Sequence, residues 1–242
     1  MSVAVQTMFA TIARGYDRAN AVLSLGIDRG WRRRAIRLLA PRPGERILDA
    51  CCGTGDVALA LAPAVLPGGS VVGADFCEPM LERARAKRAA RGGDPVARAV
   101  TFIAADALAL PFADGELDGA IVAFGVRNLD DPVRGLRELA RVVRPGGRVV
   151  VLEFGQPRAA LFGPAFRWYA SAVMPALGAL VTGERAPYEY LPRTSAAFPS
   201  GEAFVRLMTA AGLGQSRAEP LTLGVAWAYR GEVGAIEGGV PC

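Results

Sequence analysis

Short apolar runs alternate with amphipathic segments along most of the chain. Runs rich in Val, Ile and Leu predict buried strands at 45–48, 71–76, 101–105, 117–124 and 148–154. Between them, apolar residues recur at helical spacing and predict helices at 57–62, 78–91 and 133–143. Strands that alternate with helices of this length predict an α/β, Rossmann-like, doubly wound parallel sheet.

Helices are predicted before this sheet. Residues 5–18 carry apolar side chains at helical spacing and predict one continuous helix. A second helix is predicted at 30–40, with Asp28 as its N-cap and Pro41 as its stop. The polar stretch ANAVLSLG between them predicts a loop.

The C-terminal part continues the sheet. A helix is predicted at 202–211, and residues 215–230 predict an antiparallel strand pair that completes a seven-stranded sheet. The Gly-rich residues 231–242 are predicted to fray. We expect the whole chain, 1–242, to form a single domain.

Residues 155–200 interrupt the regular alternation. This segment is rich in proline but also in large apolar residues, so it is too apolar for a linker. Because it follows the fifth strand, it is placed to cover the carboxyl ends of the strands, where open α/β sheets bind ligands. We predict a helical lid with an apolar inner face; the alternative is an ordinary excursion packed on the edge of the domain.

The stretch RILDACCGTGD at 46–56 joins the first strand to a helix. Asp49 follows the predicted strand, and Gly53, Thr54 and Gly55 form a turn that brings backbone N–H groups close to a ligand. The position of a third glycine is occupied by Ala58, a permitted substitute. The turn alone therefore leaves a dinucleotide and another adenosine ligand as alternatives.

Further acids follow the next two strands. Asp75, followed by Phe76, ends the second strand, where an acid typically binds the ribose hydroxyls of a nucleotide. Asp106 and Ala107 follow the third strand, and Ala123 lies at the end of the fourth. This order of glycine turn and acids resembles the S-adenosylmethionine site of class I methyltransferases.

Composition narrows the chemistry. The chain has 242 residues, a net charge of +5 and no histidine, which excludes Ser-His and Cys-His nucleophile schemes. The four cysteines lack the spacing of a metal site, so no metal is predicted. No signal pattern, membrane-spanning run or nucleic-acid motif is evident, so we expect a cytoplasmic protein without a nucleic-acid partner.

Longer motifs extend the resemblance beyond the cofactor core. They include MFATIARGYDRAN, VLSLGIDRGWRR, GADFCEPML, AFGVRNLDDP, LRELARVVRPGGRVVVLEF and YEYLPRTSAAFP. With these stretches, roughly residues 8–231 resemble the UbiE/MenG/Coq5 family of quinone-biosynthesis C-methyltransferases.

The resemblance implies methyl transfer from S-adenosylmethionine to a ring carbon of a polyprenylated quinol. It assigns Thr54, Asp75, Asp106 and Ala107 to the cofactor, with Ala123 nearby. It places Arg127, Asn128 and Tyr16 at the substrate ring, where the cationic Arg127 stabilises a quinol oxyanion. From spacing alone, Arg127 is equally expected to be a structural residue paired with a neighbouring carboxylate, and Tyr16 a packed helix residue.

The sequence does not decide the identity of the methyl acceptor or of the partners. Demethylmenaquinol and the benzoquinol precursor of ubiquinol both fit the resemblance. Leu223 and Tyr229 replace a glycine and a histidine that are usual in the family, which favours a soluble metabolite as a further alternative. Five arginines surround Trp31 at 29–37. This cluster is typical of a solvated and partly packed helix face, and the alternative is peripheral contact with anionic lipid. A homodimer is one expected oligomeric state.

Overall fold

The computed structural model describes residues 3–157 and 162–234. Its centre is a seven-stranded sheet with the order β3-β2-β1-β4-β5-β7-β6. The strands are β1 (Arg46–Ala50), β2 (Ser70–Asp75), β3 (Val100–Ala104), β4 (Leu117–Ala123), β5 (Val143–Phe154), β6 (Leu213–Leu221) and β7 (Ala226–Val233).

Strands β1 to β5 are parallel, and β7 runs antiparallel to both β5 and β6. The chain starts at β1 in the middle of the sheet, moves outward to β3, and then crosses back to β4 on the other side of β1. The strand order therefore reverses between β1 and β4, and ligands bind at such a crevice in open α/β sheets. The predicted seven-stranded doubly wound fold is confirmed.

Helices cover both faces of the sheet. Two separate groups of buried apolar side chains lie on the two faces, one beneath α3 and α4 and the other beneath α7 and α11. The helices are α1 (Val3–Ile12), α2 (Tyr16–Leu23), α3 (Asp28–Leu39), α4 (Asp56–Val65), α5 (Glu78–Ala89), α6 (Pro95–Ala99), α7 (Pro132–Val142), α8 (Phe162–Trp168), α9 (Met174–Thr182), α10 (Ala186–Ala197) and α11 (Glu202–Ala210).

The N-terminal prediction is wrong in two respects. The expected helix at 5–18 is divided by a turn into α1 and α2, and the expected ANAVLSLG loop lies largely within α2. Gly15 marks the break, where a Cβ would lie 2.8 Å from Cγ2 of Thr182. The apolar spacing continues across this turn, because α1 packs on α5 and α10 whereas α2 packs on α9.

Asp28 is the first residue of α3 and does not cap it through its side chain. Its carboxylate instead accepts a hydrogen bond from Ser24 and pairs with Arg32. At the other end of α3, Ala40 adopts a left-handed conformation immediately before Pro41.

Other boundaries also differ from the prediction. Strand β5 begins at Val143, directly after α7, so the turn residues before Arg148 belong to the strand. A short helix, α6, follows the predicted break, and the Asp94 side chain caps it. Strand β7 continues to Val233, so the first residues of the predicted frayed tail are ordered; residues 235–242 lie outside the described part.

Most of the described segment after β5 is helical. Helices α8, α9 and α10 occupy 162–197, with a π-helical turn at Tyr169–Val173 between α8 and α9. We call these three helices the helical insertion. It packs against α1 and α2, and residues 158–161 of the predicted lid lie outside the described part.

Candidate active site

The two glycines of the turn after β1 have different surroundings. Both have positive φ, +52° at Gly53 and +80° at Gly55. A Cβ on Gly55 would lie 2.6 Å from Cζ of Phe102, so this glycine is needed for packing. A Cβ on Gly53 would meet no atom within 4 Å, because Gly53 faces an open cleft. Gly53 therefore presents bare backbone to a ligand, as the resemblance implies.

Asp75 ties the end of β2 to this turn. Its carboxylate accepts hydrogen bonds from the Gly53 N–H and the Cys77 N–H, each at 2.8 Å. Burial raises the pKa of Asp75, and the backbone N–H donors oppose the shift. A carboxylate has about four acceptor sites, so acceptor capacity remains for a ligand hydroxyl. This geometry suits a ribose.

Asp49 has a different environment from the one predicted. It lies within β1 rather than after it, it is 1% exposed, and it accepts a hydrogen bond from the Ala58 N–H at 2.9 Å. Burial raises its pKa to about 8, although the bond from Ala58 opposes the shift. Asp49 therefore anchors the first turn of α4 rather than presenting a free carboxylate.

A narrow cleft opens above the glycine turn, and we call it the glycine-turn cleft. Several predicted cofactor residues are brought together there. Its lining includes Tyr16, Gly53, Asp75, Phe76, Ala123 and Asn128. Thr54 lies in an adjoining recess with its hydroxyl bonded to protein groups. Asp106 and Ala107 follow β3 outside this lining, where Asp106 accepts a hydrogen bond from the Leu108 N–H.

A larger cleft, which we call the apolar cleft, lies between α1, α2, α3 and the helical insertion. It spans about 860 Å³, including space open to solvent, and exposes mainly apolar side chains. Tyr16 and Phe124 line both clefts and form the boundary between them. Phe124 has a positive φ of +60° and stacks on Phe154, with ring centroids 4.4 Å apart.

Arg127 lines the apolar cleft and is paired with a buried carboxylate. Its Nη1 lies 2.7 Å from Oε1 of Glu153 and 2.7 Å from the Phe124 carbonyl oxygen. Its guanidinium carbon lies 5.2 Å from the centre of the Phe154 ring. The structural role left open by the sequence is thus present, and the same side chain also reaches the cleft.

The other two predicted ring-contacting residues lie at the same junction. Asn128 accepts a hydrogen bond from the Tyr190 hydroxyl at 3.2 Å, so the helical insertion is tied to the end of β4. Tyr16 packs edge-on against Phe9, with ring centroids 6.2 Å apart. Tyr16, Arg127 and Asn128 therefore surround the point where the two clefts meet.

Sequence analysis missed Glu153, Phe124 and Tyr190. Glu153 is an acid at the end of a buried strand, and the rule that selects Asp75 applies equally to it. Tyr190 lies in the motif YEYLPRTSAAFP, from which no individual residue had been selected. No local signal marks Phe124, because its left-handed backbone is unusual for a large residue.

The prediction that the arginines and Trp31 of α3 contact lipid is partly wrong. Trp31 is 7% exposed, and its Nε1–H donates to Thr222 Oγ1 at 2.8 Å, so it cannot rest on a membrane. Arg34 forms a two-pronged ion pair with Glu219. The exposed arginines of the predicted cluster are Arg29, Arg33 and Arg37.

The two departures from the family pattern lie away from both clefts described above. Tyr229 is 1% exposed, accepts a hydrogen bond from the Gly201 N–H and packs on Phe204 in the core. Leu223 is 66% exposed and has φ +56°. The family's glycine at this position matches the backbone conformation, and its replacement does not reshape the apolar cleft.

The described residues contain neither a metal-binding cluster nor a membrane-spanning helix. Within 3–157 and 162–234, no group of three or more Cys, Asp or Glu side chains is arranged to hold a metal ion. No helix in these same ranges is both long and apolar enough to cross a membrane.

The chain resembles known proteins in sequence and in fold. Demethylmenaquinone methyltransferase from Thermus thermophilus is 49% identical over 225 residues, covering 93% of this chain and 99% of that protein. UbiE, a ubiquinone/menaquinone biosynthesis C-methyltransferase of Bdellovibrio bacteriovorus, is 42% identical over 231 residues, covering 95% of each. A SAM-dependent methyltransferase structure from Aquifex aeolicus shares the fold, with a TM-score of 0.61 and 18% identity over 84% of this chain and 89% of that one. Residues 1–232 match the ubiE/COQ5 methyltransferase family model, and the chain belongs to that family.

Proposed function

We propose that this protein transfers a methyl group from S-adenosylmethionine to a ring carbon of demethylmenaquinol. The proposal rests on the place where the two clefts meet, at Tyr16 and Phe124. On one side lies a cleft with Gly53 and Asp75, and on the other an apolar cleft that contains Arg127. A nucleotide-derived methyl donor and an apolar quinol would meet there.

The glycine-turn cleft suits the cofactor. Gly53 leaves open space at its Cα, and the Asp75 carboxylate retains acceptor capacity for ribose hydroxyls. Phe76 and Ala123 supply apolar walls. We also assign Asp106 and Ala107 to the cofactor, although they follow β3 outside the lining of this cleft. When bound, S-adenosylmethionine supplies an electrophilic methyl group on a sulfonium.

Arg127 prepares the acceptor. A quinol carbon becomes nucleophilic when the neighbouring hydroxyl loses its proton, and an ordinary phenol such as that of tyrosine has a pKa of about 10. Arginine carries five N–H donors, and the two on Nη1 donate to Glu153 and Phe124. Of the other three, the Nε–H is buried without a partner, and in this proposal the two on Nη2 stabilise the oxyanion by charge-assisted hydrogen bonds.

Glu153 is not suited to act as the base. Its carboxylate is 1% exposed and accepts hydrogen bonds from Arg127 Nη1, the Arg127 N–H and the Phe154 N–H. Its role is to orient Arg127. We assign the role of proton acceptor to a water molecule held by Arg127, Asn128 or Tyr16, because arginine itself stays protonated.

The helical insertion acts as a lid in this proposal. Leu191, Met174 and Phe166 of the insertion line the apolar cleft, and the bond from Tyr190 to Asn128 holds the insertion over the end of β4. The positive charge of the methyl donor disappears during transfer, so an apolar, water-poor site favours the transition state. An apolar cleft also matches a prenylated ring better than a polar metabolite.

The acceptor is tested with a panel of reduced quinols and labelled S-adenosylmethionine. We expect label in demethylmenaquinol, less in the prenylated benzoquinol, and little in a naphthoquinol without a prenyl chain. Equal or greater transfer to the unprenylated acceptor would instead support the soluble-metabolite alternative. Tyr229 does not support that alternative, because it lies in the core.

We also propose peripheral contact with anionic lipid, through the exposed Arg29, Arg33 and Arg37 of α3. Vesicle flotation should show loss of binding when these three are changed to Glu. Changing Arg34 and its partner Glu219 together is the control, since that pair is satisfied within the protein. Unchanged flotation of the triple variant would refute the contact.

A further inference from the structure

A cluster of polar side chains joins the glycine turn to α2, and we call it the Lys87 cluster. It consists of Asp17, Thr54, Asp56 and Lys87. Lys87 Nζ lies 2.7 Å from Asp17 Oδ2, 2.9 Å from Thr54 Oγ1 and 2.5 Å from Asp56 Oδ1. Thr54 Oγ1 in turn donates to Asp17 Oδ1 at 2.6 Å. Four elements of the chain therefore converge on one ammonium group.

The polar groups of the cluster are all bonded, and Arg32 Nη1 adds one contact from outside it, to Asp56 Oδ2 at 3.1 Å. The three N–H donors of Lys87 match its three acceptors, and the Thr54 hydroxyl both donates and accepts. Thr54 is 3% exposed, since α2 covers it. The Thr54 hydroxyl is thus committed to a contact between the turn and α2.

Asp17 is the neighbour of Tyr16 in the chain. Both residues lie in the first turn of α2, which follows the break at 13–15. The Tyr16 side chain forms part of the boundary between the glycine-turn cleft and the apolar cleft. The contacts of Asp17 with Thr54 and Lys87 therefore fix the start of α2, and Tyr16 with it, relative to the glycine turn.

We propose that Asp17 and Lys87 are positioning residues that hold Tyr16 in register with the cofactor-binding turn. The contacts of Asp17 and Lys87 then align a methyl donor bound at the glycine turn with a quinol ring placed against Tyr16. This inference rests on the proposed methyl transfer and adds to it residues that touch neither reactant.

Because the Lys87 cluster is partly exposed, a role in positioning can be distinguished from a role in global stability. The side chains of Asp17 and Lys87 are 29% and 27% exposed, so solvent screens their ion pair in part and limits its contribution to global stability. In contrast, misplacing a reacting group by an ångström costs about 100-fold in rate. Loss of the cluster should therefore reduce turnover far more than it reduces the unfolding temperature.

Kinetics of Lys87→Met, Lys87→Arg and Arg85→Met test this prediction. Arg85 is the matched control, because it lies on the same helix and forms an exposed ion pair with Glu78. We expect Lys87→Met to lower kcat by about tenfold or more, Lys87→Arg to recover part of the loss, and Arg85→Met to change nothing. In a Tyr16→Ala background, which lacks the side chain to be positioned, Lys87→Met should have little further effect. An equal loss in both backgrounds, or unchanged kcat, would overturn the proposal.

A spectroscopic measurement is independent of turnover. The chain has 5 tyrosines, so ring-labelled protein gives a small set of signals, and the one missing from Tyr16→Phe is assigned to Tyr16. Lys87→Met and Asp17→Asn should both displace this signal, and Arg85→Met should not. If the wild type transfers no methyl group but the Tyr16 signal moves, the proposed function fails and the positioning role stands. A Tyr16 signal that stays fixed contradicts the positioning role.

Discussion

Nη1 of Arg127 lies 2.7 Å from Oε1 of Glu153, and the two side chains are 6% and 1% exposed. Truncation of one partner leaves the other charge buried without compensation. We expect Arg127→Met to lower the free energy of unfolding by about 3–5 kcal/mol, measured by urea denaturation.

The double variant Arg127→Met, Glu153→Leu should recover much of this loss, since no buried charge remains. Additive losses in the two single variants and the double variant would show that the pair is not coupled. Activity measured on Arg127→Met is uninformative without this stability control.

The two turn glycines should respond differently to the same substitution. Gly55→Ala places a methyl group against Phe102 at positive φ, so it should lower stability by about 2–4 kcal/mol. Gly53→Ala places the methyl group in the open cleft and should mainly weaken S-adenosylmethionine binding, by about tenfold or more in calorimetry. Unchanged affinity in Gly53→Ala would remove Gly53 from the cofactor site.

The raised pKa of Asp49 makes the stability of the protein depend on pH. Burial raises its pKa from 3.8 to about 8, so between these values the folded protein holds a proton that the unfolded chain has lost. Its contribution to stability therefore decreases as pH rises toward 8. The stability of the wild type relative to Asp49→Asn should fall by at most about 1.4 kcal/mol per pH unit.

Urea denaturation between about pH 5 and pH 8 measures this difference. Asp114→Asn is the control, because the Asp114 side chain is 82% exposed. Curves for the wild type and Asp49→Asn that stay parallel across this range would show that Asp49 is ionised throughout.

Leu223 has a backbone conformation that suits glycine. It is 66% exposed at φ +56°, so Leu223→Gly relieves strain at little cost in burial and should raise stability by about 0.5–1 kcal/mol. Leu180, 83% exposed within α9, is the matched control, and Leu180→Gly should lower stability by a similar amount. Destabilisation by both substitutions would contradict the strain argument.

Sequence patterns predicted the sheet well, and local signals explain why. Apolar strands with a glycine turn after β1 and an acid after β2 are local signals, and the structure brings Gly53 and Asp75 into hydrogen-bond contact. The strand order follows from the connection rules of such sheets.

The missed features depend on contacts between distant parts of the chain. Lys87 meets Asp17 and Thr54, and Arg127 meets Glu153, only when separate elements pack together. Periodicity likewise could not show that the first helix breaks near Gly15. An arginine-rich segment does not reveal which way Trp31 points, and here it points into the core.

The most direct test of the central claim is methyl transfer to reduced demethylmenaquinol by the wild type, Arg127→Lys and Arg148→Lys. Arg148 is the control because it forms a buried pair with Glu45. We predict transfer by the wild type, a loss of about 100-fold in kcat for Arg127→Lys, and near-normal kcat for Arg148→Lys. No transfer by the wild type with S-adenosylmethionine bound, or equal kcat in Arg127→Lys and the wild type, would contradict the account.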